Sequence, residues 1–216
     1  MIIAIDGPSG SGKSTTAKKL AQRLNITHLD TGAMYRVVTW GLIRKNINFQ
    51  DTGKVKTFLD EVEISFSKSN EITLDGEMVS LDIRKKEVTS NVSTVSSINE
   101  VRKFLVKIQR EMGKNMDCVI EGRDIGSVVF PKADFKFYLT ADLDIRAKRR
   151  KNELEKIGED LTVDEIRSAI LKRDLIDSSR KLSPLKRPKD AIEIDSTDLT
   201  IDEQIDKIMN IIKQNK

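Results

Sequence analysis

Gly7-Pro8-Ser9-Gly10-Ser11-Gly12-Lys13-Ser14 carries the spacing G-x-x-x-x-G-K-S. That spacing is a phosphate-binding loop when a strand precedes it and a helix follows it. Both are legible here. Met1-Ile-Ile-Ala-Ile5 is a short apolar run suited to a buried strand. Ala17, Leu20, Ala21 and Leu24 recur at i, i+3, i+4 and i+7, one buried face of a helix. Strand, glycine loop and helix together aim backbone N–H groups at an anion. Lys13 has the reach and charge for β- and γ-phosphates, and the Ser14 hydroxyl is a donor suited to magnesium. The stretch points to a nucleotide and leaves open what is done with it.

Outward from the loop, the same alternation repeats. Ile26-Thr-His-Leu-Asp30, Asp117-Cys-Val-Ile-Glu121, Phe135-Lys-Phe-Tyr-Leu139 and Ala191-Ile-Glu-Ile-Asp195 read as further core strands, with helical patterns between them. The expectation is an α/β fold: a five-stranded parallel sheet with flanking helices. Capping-box spacing predicts helix starts at Ser97–Glu100, Thr162–Glu165 and Thr200–Glu203. Residues 47–90 differ. Val62-Glu-Ile-Ser-Phe66, Ile72-Thr-Leu74 and Met78-Val-Ser-Leu81 alternate with period two, and Asp75-Gly76 is a hairpin signal. This predicts a small antiparallel sheet inserted into the parallel architecture. No repeat, low-complexity tract or flexible linker interrupts the chain.

Charged residues gather where such a sheet places its ligands, at strand ends that lead into helices. Asp30-Thr-Gly-Ala-Met-Tyr35-Arg36 opens a helix with Arg36 one turn in, though a solvated helix arginine explains Arg36 equally well. Glu121-Gly122-Arg123-Asp124 crowds charge onto the end of a strand, as a solvated turn also would. Arg146, Arg149 and Arg150 share one helix face. Alone they would be an exposed face; beside a phosphate loop, a mobile arginine helix can cover transferring phosphates. Arg173, Asp177 and Arg180 point one way if their helix persists. His28, the single histidine, sits beside a strand with no neighbouring ligand residues and is read as structural.

The 216 residues suffice for one α/β domain with subdomains. With 38% hydrophobic and 33% charged residues the chain reads as soluble. Its net charge of +4 spreads over alternating lysines and glutamates, and aromatics make up only 5%. A nucleic-acid surface therefore has weak support. The one cysteine, Cys118, lies in an apolar strand and reads as a core thiol. No apolar run approaches the ~18 residues of a membrane span, and the first strand leaves no room for a signal peptide. The expectation is a cytoplasmic protein.

Five motifs now stand in order: GPSGSGKS, LDTGAMYR, NVSTVSSINEVR, EGRDIGSVVFP and the pair Asp177…Arg180. In that order and spacing they resemble the bacterial cytidylate kinases, a nucleoside monophosphate kinase family, nearly end to end. The resemblance implies strand order 2-3-1-4-5, a monophosphate-binding insert near 47–90 and a short helical lid near 146–160, all within one domain, 1–216. It implies phosphoryl transfer from ATP to CMP or dCMP with Mg2+, by a monomer with no stable nucleic-acid or membrane partner. ATP would be held by Gly7, Pro8, Ser9, Gly10, Ser11, Gly12, Lys13, Ser14 and Thr15. Magnesium would be met by Ser14, and by Glu121 through water; many members carry Asp at the latter position. Arg36 and Arg123 would clamp the acceptor phosphate, with Thr31, Tyr35 and Gly122 lining the acceptor site. Ser93, Arg102 and Asp124 would meet the cytosine, Asp177 and Arg173 the ribose, and Arg180 the nucleoside. Lys13, Arg123, Arg146, Arg149 and Arg150 would serve the transferring phosphoryl group. The residues by themselves leave two rivals: a kinase for another small acceptor such as shikimate, and a nucleotide-dependent regulator or RNA binder without turnover. A substrate screen separates the first, and a steep salt dependence of RNA affinity marks the second.

Overall fold

A computed structural model describes residues 1–66, 71–114, 116–156 and 158–215. Residues 67–70 of the segment 47–90 and residue 157 of the segment 146–160 lie outside the described residues. In chain order the elements are β1 (Ile2–Asp6), α1 (Lys13–Leu24), β2 (Thr27–Asp30), α2 (Thr31–Arg44), α3 (Thr52–Glu61), β3 (Ile64–Phe66), β4 (Ile72–Leu74), β5 (Glu77–Met78), α4 (Lys86–Val95), α5 (Asn99–Gly113), β6 (Cys118–Gly122), β7 (Phe135–Thr140), α6 (Leu143–Glu155), α7 (Val163–Ser179), β8 (Ile192–Asp195) and α8 (Ile201–Gln214). They form two compact units, Met1–Leu29 with Met116–Lys216, and Asp30–Asn115.

The first unit is built on a five-stranded sheet of order β2-β6-β1-β7-β8. Counted along the chain this is 2-3-1-4-5, the order expected. β1 pairs in parallel with β6 and β7, and β7 with β8. Ile3, Ile5, Val119, Phe137, Leu139 and Ile194 are buried against Ala17 and Leu20 of α1 and Ile205, Ile208 and Ile212 of α8. Burying strands on both faces requires the near-continuous apolar runs seen in the sequence. The register sets Asp6 beside Gly122 and Tyr138, so the phosphate loop and the Arg123 segment leave from adjacent strand ends. Gly7 is required at this exit, because a Cβ there would lie 2.1 Å from the Leu139 carbonyl oxygen. The capping boxes at Thr162–Glu165 and Thr200–Glu203 both form, each with its two reciprocal bonds. Cys118 is fully buried as expected, and burial pushes its thiol up to about 11. After β6 the chain makes a wide helical turn over Ile125–Val129, where the Val129 amide donates to the Asp124 carbonyl.

The second unit, Asp30–Asn115, packs helices around a three-stranded antiparallel sheet, β3-β4-β5. Asp30 and Asp51 cap α2 and α3 by accepting from the Ala33 and Lys54 amides, each at 3.0 Å. Val37, Val38, Phe58, Leu74, Val101 and Leu105 form its core. Gly41 is the close-packed position of α2: a Cβ would stand 2.5 Å from the Phe58 ring. The hairpin turn occurs at Asp75-Gly76, both with positive φ. Several expectations fail here. Helices α3 and α4 were not anticipated, because the hairpin signal and a serine-rich stretch obscured their apolar spacing. β5 ends at Met78, so the predicted Met78–Leu81 strand is mostly absent. The capping box at Ser97 does not form: its hydroxyl donates to the Thr94 carbonyl at 2.6 Å, and Ile98 stands at the helix start.

Candidate active site at the strand ends

In the first unit, Lys13 lies 6% exposed at the start of α1, its Nζ donating to the Pro8 carbonyl at 2.6 Å and to Ser11 Oγ at 3.4 Å. Burial, reinforced by the Arg123 guanidinium, holds its pKa well below the usual lysine range, while Glu121 opposes the shift. The Ser14 hydroxyl donates to Glu121 Oε2 at 2.7 Å. The other carboxylate oxygen, Oε1, lies 3.0 Å from His28 Nε2. His28 is therefore not without a polar neighbour, as its sequence surroundings suggested; its partner is far away in the chain. A hydroxyl beside a carboxylate is a set of hard oxygen donors that fits magnesium, which typically takes one or two protein ligands plus phosphates and water. Among the described residues no group of three or more His, Cys, Asp or Glu is placed to hold a metal by itself. Thr15 is exposed on the first turn of α1.

The loop is braced from outside. The Ser9 amide donates to Asp174 Oδ1 at 3.0 Å, and Arg146 donates to the Ser9 carbonyl at 3.0 Å and to Asp174 Oδ2. Arg149 donates to Ser196 Oγ and the Ser196 carbonyl at 3.0 and 2.6 Å. Burial lowers the pKa of that guanidinium. Ser196 Oγ in turn donates to the carbonyls of Thr140 and Ser11. Arg150 faces away and pairs with Glu153 at 2.9 Å on an exposed surface. Of the three arginines on this face of α6, two turn toward the loop and one does not.

A second cluster surrounds Asp177. Arg123 Nε donates to its Oδ2 at 2.9 Å, Arg180 lies 3.6 Å from its Oδ1, and Arg173 lies 4.0 Å from Oδ2. Arg180 also lies 3.9 Å from Asp124 Oδ1. Asp177 and Asp124 are 3% and 4% exposed. Burial pushes the Asp177 carboxyl up, and Arg123, Arg173 and Arg180 together hold it below the usual aspartate range. Helix α7 ends at Ser179, one residue before Arg180, yet all three sequence candidates converge. Asp6, an acid at the end of an apolar strand, was not singled out. It is 1% exposed, and its carboxylate accepts from the Ile125 and Gly126 amides at 2.8 Å each. Asp174 and Ser196 were also missed, since their partners lie on distant segments.

In the second unit Thr31 and Tyr35 are buried on α2. The Arg102 guanidinium sits 5.4 Å from the centre of the Tyr35 ring and donates to the Ser96 carbonyl at 3.2 Å. The Ser96 hydroxyl donates to the Ser93 carbonyl at 3.0 Å, so Ser96 links Ser93 to Arg102 at the α4–α5 junction. Arg36 is half-buried and donates to Thr89 Oγ1 at 2.9 Å.

The sequence model of the cytidylate kinase family matches residues 3–214. A cytidylate kinase of Caldanaerobacter subterraneus is 48% identical over 213 residues, covering 99% of this chain and 95% of that protein. One from Clostridium botulinum is 45% identical, covering 99% of this chain and 98% of that protein. Among solved structures, shikimate kinase from Bacteroides thetaiotaomicron superposes with a TM-score of 0.51 at 12% identity, covering 99% of this chain and 98% of that one, a likeness of fold. No described helix is long and apolar enough to cross a membrane.

Proposed function

The chain belongs to the cytidylate kinase family, a family of phosphotransferases, and from that premise we propose that it moves the γ-phosphoryl group of ATP onto CMP and dCMP, yielding ADP with CDP or dCDP. The observation that carries this reading is the arginine cluster on Asp177 with Asp124 beside it, at the strand end next to the phosphate loop. Three guanidiniums face two carboxylates there, a surplus of positive charge suited to a phosphorylated acceptor.

The loop amides and Lys13 bind the ATP phosphates. Burial in the loop leaves Lys13 poorly solvated, which strengthens its attraction for the negative charge of a bound phosphate. Ser14, and Glu121 through water, would hold magnesium, which would supply charge neutralisation at the phosphate oxygens. Arg36 and Arg123 clamp the acceptor phosphate, and Thr31, Tyr35 and Gly122 line its approach. Asp177 accepts from ribose hydroxyls, Arg173 meets the ribose with it, and Arg180 meets the nucleoside. Ser93, Arg102 and Asp124 recognise the cytosine. Segment 146–160 serves as the lid and segment 47–90 as the monophosphate-binding insert. Arg146 and Arg149 stabilise the transferring group, which needs position and charge neutralisation more than covalent chemistry. We further assign the enzyme to the cytoplasm, as a monomer without nucleic-acid or membrane partners.

The base assignment has a direct test. The amino group of cytosine donates where uracil presents a carbonyl, and an ionised Asp124 only accepts. ADP formation is measured across CMP, dCMP, UMP, AMP and shikimate. The expected kcat/KM for CMP exceeds that for UMP by at least about 100-fold, because buried acceptors left opposed reject a substrate strongly. Asp124→Asn narrows the gap, since its amide can turn an N–H toward the uracil carbonyl. Equal use of UMP by the wild type rejects the assignment.

A further inference from the structure

We propose that Asp6 is a positioning residue for acceptor recognition, holding Arg123 and Asp124 in place through the two amides that follow them. This rests on the roles proposed above for those two residues. Asp6 ends β1 and immediately precedes the phosphate loop; Gly122, its partner in register, immediately precedes Arg123. Its side chain reaches across to the exit of the neighbouring strand, where Oδ1 accepts from the Ile125 amide and Oδ2 from the Gly126 amide. A carboxylate shared by two consecutive amides fixes both the height and the rotation of the turn, since either movement breaks a buried bond.

Asp124 has φ −143° and ψ 24°, outside helix and strand, so no regular ladder sets its direction. Strand β6 holds the chain just before Arg123, and the Asp6 clamp holds the amides just after Asp124. The Val128 and Val129 amides both donate to the Asp124 carbonyl, tying the rest of the turn to the same residue. Gly126 packs beside two side chains: a Cβ there would make ordinary contact with Asp6 Oδ2 at 3.4 Å and a tighter one with Lys136 Cδ at 3.2 Å. Asp124, Lys13 and Tyr138 are the charged or titratable groups that interact with Asp6, and Lys136 lies beside Gly126. Burial pushes the Asp6 carboxyl up to about 6, so it is ionised at neutral pH and both oxygens accept.

A carboxylate that served only the fold would, on removal, lower Tm and degrade every kinetic constant together. Asp6→Asn separates the two cases. It keeps the volume and one acceptor, removes a buried charge, and opposes an NH₂ group to one amide. The measurements are Tm at pH 7.5, kcat, KM for CMP and for ATP, and the CMP:UMP ratio of kcat/KM. We expect KM for CMP to rise at least about tenfold and the ratio to fall, because displacing a binding group by a fraction of an ångström is costly. KM for ATP stays within about twofold, since the loop itself is untouched, and Tm falls only modestly, by the cost of one opposed buried amide. A wild-type KM and ratio in Asp6→Asn overturn the proposal. So does a parallel loss of Tm, kcat and both KM values. Should the wild type itself fail to distinguish CMP from UMP, the base assignment falls, and KM for CMP in Asp6→Asn still decides the clamp.

Discussion

The phosphate loop and the cluster around Asp177 lie at neighbouring strand ends and manage charge in opposite ways. The loop is one contiguous run whose donors are mainly backbone amides, and its single cation, Lys13, is turned onto the loop's own oxygens. The cluster gathers side chains from two distant segments around one buried carboxylate. Backbone donors are fixed by covalent geometry and survive loss of a neighbour. Side-chain clusters depend on every member, because removing the central charge leaves the rest unpaired. The loop should therefore fail in rate and the cluster in stability as well. Helix α7 serves both, with Asp174 on the loop and Asp177 in the cluster.

The largest effect tests the loop side. Lys13→Ala should lower kcat by at least about 10²–10³-fold, the range for removing one electrostatic donor from a reacting centre. Tm should hold, because the desolvated ammonium contributes little to the fold that a smaller apolar group would not. A near-normal kcat removes Lys13 from the mechanism, and a collapse of Tm makes the loop as dependent on side chains as the cluster.

Next is the cluster. Asp177→Ala leaves Arg123, Arg173 and Arg180 facing one another and should destabilise the protein by about 3 kcal/mol, as breaking a buried pair does. Acid makes the same test without mutation. The folded pKa of Asp177 is depressed, so its contribution is present above the unfolded value near 3.8 and lost as pH falls below it. Asp6 behaves in reverse. Its folded pKa is raised to about 6, so its contribution is complete below 3.8 and lost as pH rises through about 6. Urea titrations between pH 3 and 7 should show Asp6→Asn flattening the upper part of this range and Asp177→Ala the lower. Stability profiles of both variants parallel to the wild type would mean that neither carboxylate differs between folded and unfolded states.

How much of this was legible follows the same division. The loop and its strand and helix were readable because their signal is local: eight consecutive residues and one helical face. Two of three capping boxes were correct for the same reason. The third failed because Ser97 closes the end of α4, whose existence had not been recognised, and its hydroxyl is committed backward to Thr94. Arg173, Asp177 and Arg180 were visible as a one-sided triplet, but the Arg123 that completes them arrives from β6. Asp174 and the His28 contact with Glu121 were invisible, since each is an ordinary polar residue until the fold brings its partner near. Asp6 did carry one usable signal, an acid ending an apolar strand against a glycine, the pattern that singled out Glu121.

The smallest effects concern α6 and sharpen the boundary of the loop region. Arg149 and Arg150 are sequence neighbours, about 100° apart around a helix. Arg149 holds Ser196, whose hydroxyl donates to the Ser11 carbonyl of the loop, so truncating it removes both a loop brace and a cation beside the loop. Arg149→Ala should lower kcat by roughly tenfold, with KM for CMP changed by less, as expected for an interaction made chiefly in the transition state. Arg150 ends on the exposed Glu153, and exposed pairs of this kind contribute little. Arg150→Ala should leave kcat within about twofold of wild type, as surface pairs do. Should Arg150→Ala be the more damaging of the two, α6 rotates or moves during turnover to bring that arginine onto the phosphates. The loop would then depend on a mobile side chain, and its contrast with the Asp177 cluster would be one of timing rather than of construction.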